Sequence, residues 1–176
     1  MSRARRRNSR VGSSAESCVY KGQPHDGPAI LIIEAVFYPD IAKDLRAGAM
    51  SALEEADARV ERIWVPGVLE IPAALSMAVD AGETYPPAAY DGYVLLGCVI
   101  RGETSHYDIV AVHSARAVMD LSIEHHLALG NGILTVENTK QAHARASMDG
   151  RDKGGFAARA ALAMIGVRRS FRGEKP

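Results

Sequence analysis

The sequence predicts an α/β fold, a small doubly wound sheet of four parallel strands with helices on both faces. Two observations carry that expectation. Short apolar or β-branched runs alternate with longer stretches in which apolar residues recur every three or four positions. Helical stretches of that length can cross over between parallel neighbours as right-handed βαβ units. A third observation bounds the size: 176 residues make one compact domain and not two separate cores.

The elements follow in order. Residues 1–28 have no hydrophobic period and are rich in Arg, Ser and Gly, so a flexible arm is expected there. Five arginines fall within the first ten residues with no acid, leaving 16 basic and 21 acidic side chains on the remainder. A basic arm on an acidic body is not the charge pattern of a nucleic-acid-binding domain, and no aromatic residue interleaves the arginines. No apolar core follows them, which argues against a secretory signal; their Arg and Ser content faintly resembles an organelle transit peptide.

The folded domain is expected over 29–170, with a flexible tail at 171–176. Ala29 to Ile33 is a continuous apolar run, as in a strand covered on both faces. Ile41, Leu45, Ala49 and Leu53 form one stripe of a helix. Val60 to Val65 is β-rich and ends at Pro66-Gly67. Leu69 to Val79 reads as a helix if Pro72 lies in its first turn. Tyr93 to Ile100 is the strongest buried strand. His106 to Leu127 is a long helix with Ile109, Val112, Ala115, Met119 and Ile123 on one face. Gly130-Asn131-Gly132 precedes a fourth strand, Ile133 to Val136, and helices follow over Thr139–Ala146 and Lys153–Ile165.

Several function classes drop out. The apolar runs are far shorter than the roughly 20 residues a membrane helix needs. Two cysteines, Cys18 and Cys98, make no disulfide framework or metal spacing, which fits reduced, cytoplasmic conditions. There is no P-loop, dinucleotide fingerprint or nucleophile elbow. A receiver-type signalling domain would need more acids at the strand ends than Glu34 and Glu103 supply.

In an open parallel sheet, ligands bind beyond the carboxyl ends of the strands. The richest loop there is Arg101 to Asp108. Ser105-x-x-Asp108 fits a capping box, and a helix start presents free amides and a positive dipole end to an anion. His106 would stand beside that site as a candidate proton carrier near neutral pH. The plainer reading, in which Thr104 and Ser105 only cap and His106 is a surface residue, is equally compatible with the spacing. Asn138-x-x-Gln141 offers a second cap, with Arg145 and Lys153 beyond it as anion clamps or as a solvated face. Phe37, at a strand end, suits stacking on a flat heterocycle or simply core packing.

Three segments together carry a family resemblance: Pro66 to Pro72 (PGVLEIP), Gly97 to Asp108 (GCVIRGETSHYD), and Gly132 to Asn138 with Gln141-Ala142 and Arg145-Ala146. In order and spacing, from about Ala29 to Arg169, they resemble lumazine synthase. The resemblance implies a transferase of riboflavin biosynthesis on a flavodoxin-like three-layer α/β/α sandwich. It implies small-molecule substrates, no metal or organic cofactor, and a homopentamer or a multiple of one with active sites between neighbours. Association with riboflavin synthase belongs to the same expectation. His106 matches the family's general acid/base. Glu103, Thr104, Arg145 and Lys153 match the phosphate site, with Arg145 given by the adjacent subunit. Phe37 matches the stacking aromatic, Val68, Leu69 and Glu70 the ribityl segment, and Cys98, Val99 and Ile100 the strand end that reads the pyrimidine. Asn131 stands where many members place phenylalanine against the substrate ring, and Leu69 where an aromatic is frequent. Val36 replaces a frequent arginine and His113 a frequent glutamate. A weakly active or non-catalytic relative that binds a flavin or lumazine is the alternative, with the same fold and assembly.

Overall fold

The computed structural model describes residues 19–21, for their backbone only, 27–85 and 89–173. Most of the expected arm and residues 174–176 of the expected tail lie outside the described residues. Within the arm, β1 (Val19–Lys21) forms a short strand. The domain continues as β2 (Ala29–Ala35), α1 (Pro39–Glu54), β3 (Arg59–Val65), a 3₁₀ turn (Val68–Glu70), α2 (Ile71–Thr84), β4 (Gly92–Ile100), α3 (His106–Glu124), β5 (Leu129–Val136), α4 (Thr139–Ala146) and α5 (Lys153–Phe171).

The sheet order is β1-β3-β2-β4-β5. The four expected strands are mutually parallel, and β1 adds an antiparallel edge beside β3. β2 and β4 are central, which is why their apolar runs are continuous and buried almost throughout. Alternate residues feed two cores. Ile30, Ile32, Val94 and Leu96 pack under α1 and α5 with Leu45, Leu53, Ala157 and Ala161. Leu31, Ile33 and Leu95 pack under α2 and α3 with Ile71, Leu75, Val110 and Val118.

Several boundaries differ from the sequence-based expectation. β2 runs on to Ala35, and α2 spans Ile71–Thr84 rather than Leu69–Val79, the first residues of the expected helix forming the 3₁₀ turn. β5 starts at Leu129 rather than Ile133, because Gly130 and Gly132 are strand residues and not a turn. A side chain at Gly130 would strike the Ala157 carbonyl of α5, so the glycine marks close helix-on-strand approach. α3 ends at Glu124, where His126 turns into the left-handed region at φ 51°. α5 continues past Gly166 to Phe171. Pro72 does lie in the first turn of α2.

α3 also turns its stripes differently from a simple core helix. Its buried residues are Val110, Ser114 and Val118, at four-residue spacing, while Ile109, Val112, Met119 and Ile123 are exposed. Ser114 tolerates burial because its hydroxyl donates to the Val110 carbonyl at 2.6 Å.

Candidate active site

A cavity of about 430 Å³ opens beyond the carboxyl ends of β2, β3 and β4. Each strand end contributes one wall. After β2, Phe37 stands 69% exposed, with Tyr38 edge-on to it at 4.9 Å and 74°. Pro39 starts α1 immediately afterwards, so the chain turns sharply and leaves the ring at the cavity. After β3, the 3₁₀ turn buries Val68 and exposes Leu69 and Glu70 beside Pro66 and Gly67. The end of β4 supplies Cys98, Val99 and Ile100. Burial pushes the Cys98 thiol up to about 11, so it stays protonated near neutral pH.

The fourth wall is the β4–α3 connection, with Gly102, Thr104 and His106. The helix begins at His106 as expected, but the capping box does not form. Ser105 makes no side-chain cap bond, and Asp108 pairs with Arg101 instead. The His106 amide makes only a long contact to Thr104 Oγ1, at 3.4 Å. First-turn amides of α3 thus remain without a strong side-chain cap, the condition for binding an anion. Tyr107 and Val110 also line the cavity. Neither was singled out from the sequence, although Tyr107 lies in the first turn of a helix starting at His106 and Val110 one turn above His106.

The second cap is present. Asn138 Oδ1 accepts from the Gln141 amide at 3.0 Å, and Gln141 Oε1 accepts from the Glu137 amide at 3.2 Å.

Nine of the candidate residues therefore meet at one cavity: Phe37, Val68, Leu69, Glu70, Cys98, Val99, Ile100, Thr104 and His106. Four do not line it. Glu103 lies exposed in the same loop. Asn131 sits on the edge strand β5, opposite Leu95 and five residues before the strand's end, where its Oδ1 accepts from the Ile133 amide. The Arg145 guanidinium donates to the Gln141 carbonyl at 3.0 Å, and the Lys153 ammonium lies 4.6 Å over the Phe156 ring. Among the described residues, no cluster of His, Cys, Asp or Glu could hold a metal, and no helix is long and apolar enough to cross a membrane.

Residues 27–169 match the family model described as 6,7-dimethyl-8-ribityllumazine synthase. The chain belongs to that family. Proteins so named in Bartonella henselae and Agrobacterium fabrum are each 56% identical to it, over 142 and 146 residues. The matches cover 81% and 83% of this chain, and 89% and 98% of those relatives. A protein of Rhizobium meliloti named 6,7-dimethyl-8-ribityllumazine synthase 1 is 58% identical over 146 residues, 83% of this chain and 95% of that one. Membership accounts for the order of the three segments, and the four-stranded parallel sheet is the one the family resemblance implied.

Proposed function

We propose that the chain is a transferase of riboflavin biosynthesis. It condenses 5-amino-6-(D-ribitylamino)uracil with 3,4-dihydroxy-2-butanone 4-phosphate, forming 6,7-dimethyl-8-ribityllumazine with loss of phosphate and two waters. The observation that carries the reading is the meeting of His106 and Thr104 with an aromatic and apolar slot at one cavity. A flat pyrimidine fits between Phe37 and the end of β4. The ribityl chain lies along Val68 to Glu70. The phosphate sits at Glu103, Thr104 and the first turn of α3, where backbone amides favour an anion. The reaction needs a proton removed and returned as the imine forms, phosphate leaves and the ring closes. His106 carries it. Proton transfer contributes about 10²–10⁴-fold, and holding two reactants in contact supplies the rest.

The site is completed by a second copy in a homopentameric ring. Arg145, Lys153 and Asn131 stand off the cavity within their own chain, and among the described residues the apolar stripe of α3 is exposed. The neighbouring copy then brings its Arg145 and Lys153 to the phosphate and its Asn131 to the ring. Asn131 and Leu69 offer less aromatic surface than a phenylalanine would, which weakens heterocycle binding by about 1 kcal/mol per ring.

Mixing both substrates with the protein tests the reading. The expected result is appearance of the lumazine chromophore with stoichiometric phosphate. His106→Asn and Arg145→Ala chains are each expected to be slow alone. Reassembled together, they regain activity at sites that pair an intact His106 with a neighbour's intact Arg145. No phosphate release by the wild type would leave only the non-catalytic alternative, and no recovery in mixed rings would remove Arg145 from the neighbour's site.

A further inference from the structure

Arg101 does not line the cavity, although Ile100 and Gly102 on either side of it do. Its guanidinium turns to other partners. Nη1 and Nη2 donate to the two carboxylate oxygens of Asp108 at 3.3 and 3.2 Å. Nε donates to Glu137, whose nearer oxygen is 3.0 Å away. The same group lies 3.9 Å over the ring of Tyr107. Donating to Asp108, and then to Glu137, raises an already high pKa. The backbone of Arg101 is pinned as well, its amide donating to the Val136 carbonyl at 2.9 Å.

These partners belong to two separate pieces of chain. Tyr107 and Asp108 form the first turn of α3, directly after His106. Glu137 follows the end of β5 and precedes Asn138, the cap of the helix that carries Arg145. Ser105 supplies no side-chain cap, whereas Arg101 joins the start of α3 to the residue after β5. An arginine beside an anion site is ordinarily read as a ligand of the anion. Here two carboxylates already neutralise it and occupy its fork.

We propose that Arg101 is a positioning residue: by gripping Asp108 and Glu137 and stacking on Tyr107, it fixes the first turn of α3, and with it His106 and Thr104, without touching substrate. The inference rests on the function proposed above. A lone exposed ion pair contributes little. A bidentate fork joined to a second carboxylate and a ring face is a network of defined geometry, for which lysine is not an equivalent.

Steady-state kinetics on the assembled enzyme test it. Arg101→Met is expected to lower kcat by roughly 10- to 100-fold, the scale on which small misplacements of reacting groups act. It should raise KM for the phosphate-bearing substrate and leave KM for the pyrimidine unchanged, because the β4 end does not depend on the grip. Arg101→Lys recovers only part of the loss. Asp108→Asn separates positioning from ligation, with inorganic phosphate as the inhibiting probe. A positioning role predicts weaker phosphate inhibition, because the cradle loosens. A ligand role predicts tighter inhibition, because Arg101 is released to the anion. Tighter inhibition in Asp108→Asn, or unchanged kcat and KM in Arg101→Met, would overturn the proposal. Both outcomes presuppose an active wild type; if the wild type itself released no phosphate, the functional reading would fail first.

Discussion

The two faces of the sheet are built to different degrees of completion. On one, α1 and α5 are buried deeply: seven residues of α1 and six of α5 are shielded, and glycines let the helices touch backbone to backbone. On the other, α2 and α3 bury only three residues each, over 14 and 19 positions. Along α3, Ile109, Val112, Met119 and Ile123 are each about half exposed or more, at 49%, 59%, 58% and 66%. Scattered exposed apolar residues are ordinary, but a continuous helical stripe of them marks an association surface. The outer side of α5 shows Phe156, Met164 and Val167 as well, yet its sheet-facing side is closed. The difference teaches that one face is finished by the chain itself, whereas the face that carries His106 is left open, as the assembly proposed above requires.

The sharpest way to break that comparison is to charge the unfinished face. Val112→Asp places a carboxylate in the exposed stripe, where a lone chain tolerates it and a packed interface does not. The expected outcome is dissociation to folded monomers with product formation abolished, because each cavity loses its neighbour. Sedimentation velocity, far-UV circular dichroism and the chromophore assay read the three parts. A variant that stays assembled and active would mean the stripe is not the interface.

The finished face answers to a different substitution. Gly154→Ala would drive a methyl group into the Leu45 carbonyl, which lies on the backbone of α1 and cannot swing aside. Overpacking of this kind costs about 1–3 kcal/mol. Chemical denaturation should show that loss whether or not the ring is assembled, and an unchanged midpoint would show that α1 and α5 are less tightly apposed than the backbone contact requires.

How much of this was legible in the sequence depends on the kind of signal. Continuous apolar runs placed β2 and β4, since burial on both faces leaves room for a charged residue only where it is paired, as Glu34 is with Arg46 and Arg62. The start of β5 was not legible, because Gly130 and Gly132 look like a turn until α5 is laid across them. β1 was not legible either, being three residues without a period. In the site, the loop from Gly97 to Asp108 was legible in part, since Cys98, Val99, Ile100, Thr104 and His106 line the cavity and Glu103 does not; the Asn138 cap was legible as well. The capping box at Ser105 failed because Asp108 had a stronger competitor in Arg101, seven residues earlier, and local spacing cannot weigh a partner of that kind. The α3 stripe was visible, but two apolar stripes run along that helix. Nothing local says that Val110, Ser114 and Val118, with a polar residue in the middle, face inward. Arg145 and Asn131 do not line the cavity of their own chain, so the role proposed for them rests on a neighbour that local sequence patterns do not describe.

The smallest expected effect sharpens the comparison at the boundary between the two faces, where Cys98 joins the α1 and α5 core and also borders the cavity. Burial raises its thiol from the ordinary 9 to about 11. An acid whose folded pKa is raised keeps its proton better when folded. Its contribution to stability is therefore complete below about 9 and is lost as pH climbs from there to about 11. Burial pushes the Tyr93 and Tyr90 hydroxyls up as well, with a hydrogen bond to Glu61 adding to the effect at Tyr90, so their losses come at still higher pH. Denaturation midpoints should be flat from neutral pH to about 9 and then fall, and Cys98→Ala should flatten the first part of that decline. An identical decline in Cys98→Ala would mean the thiol meets solvent through the cavity rather than sharing the dryness of the core behind it.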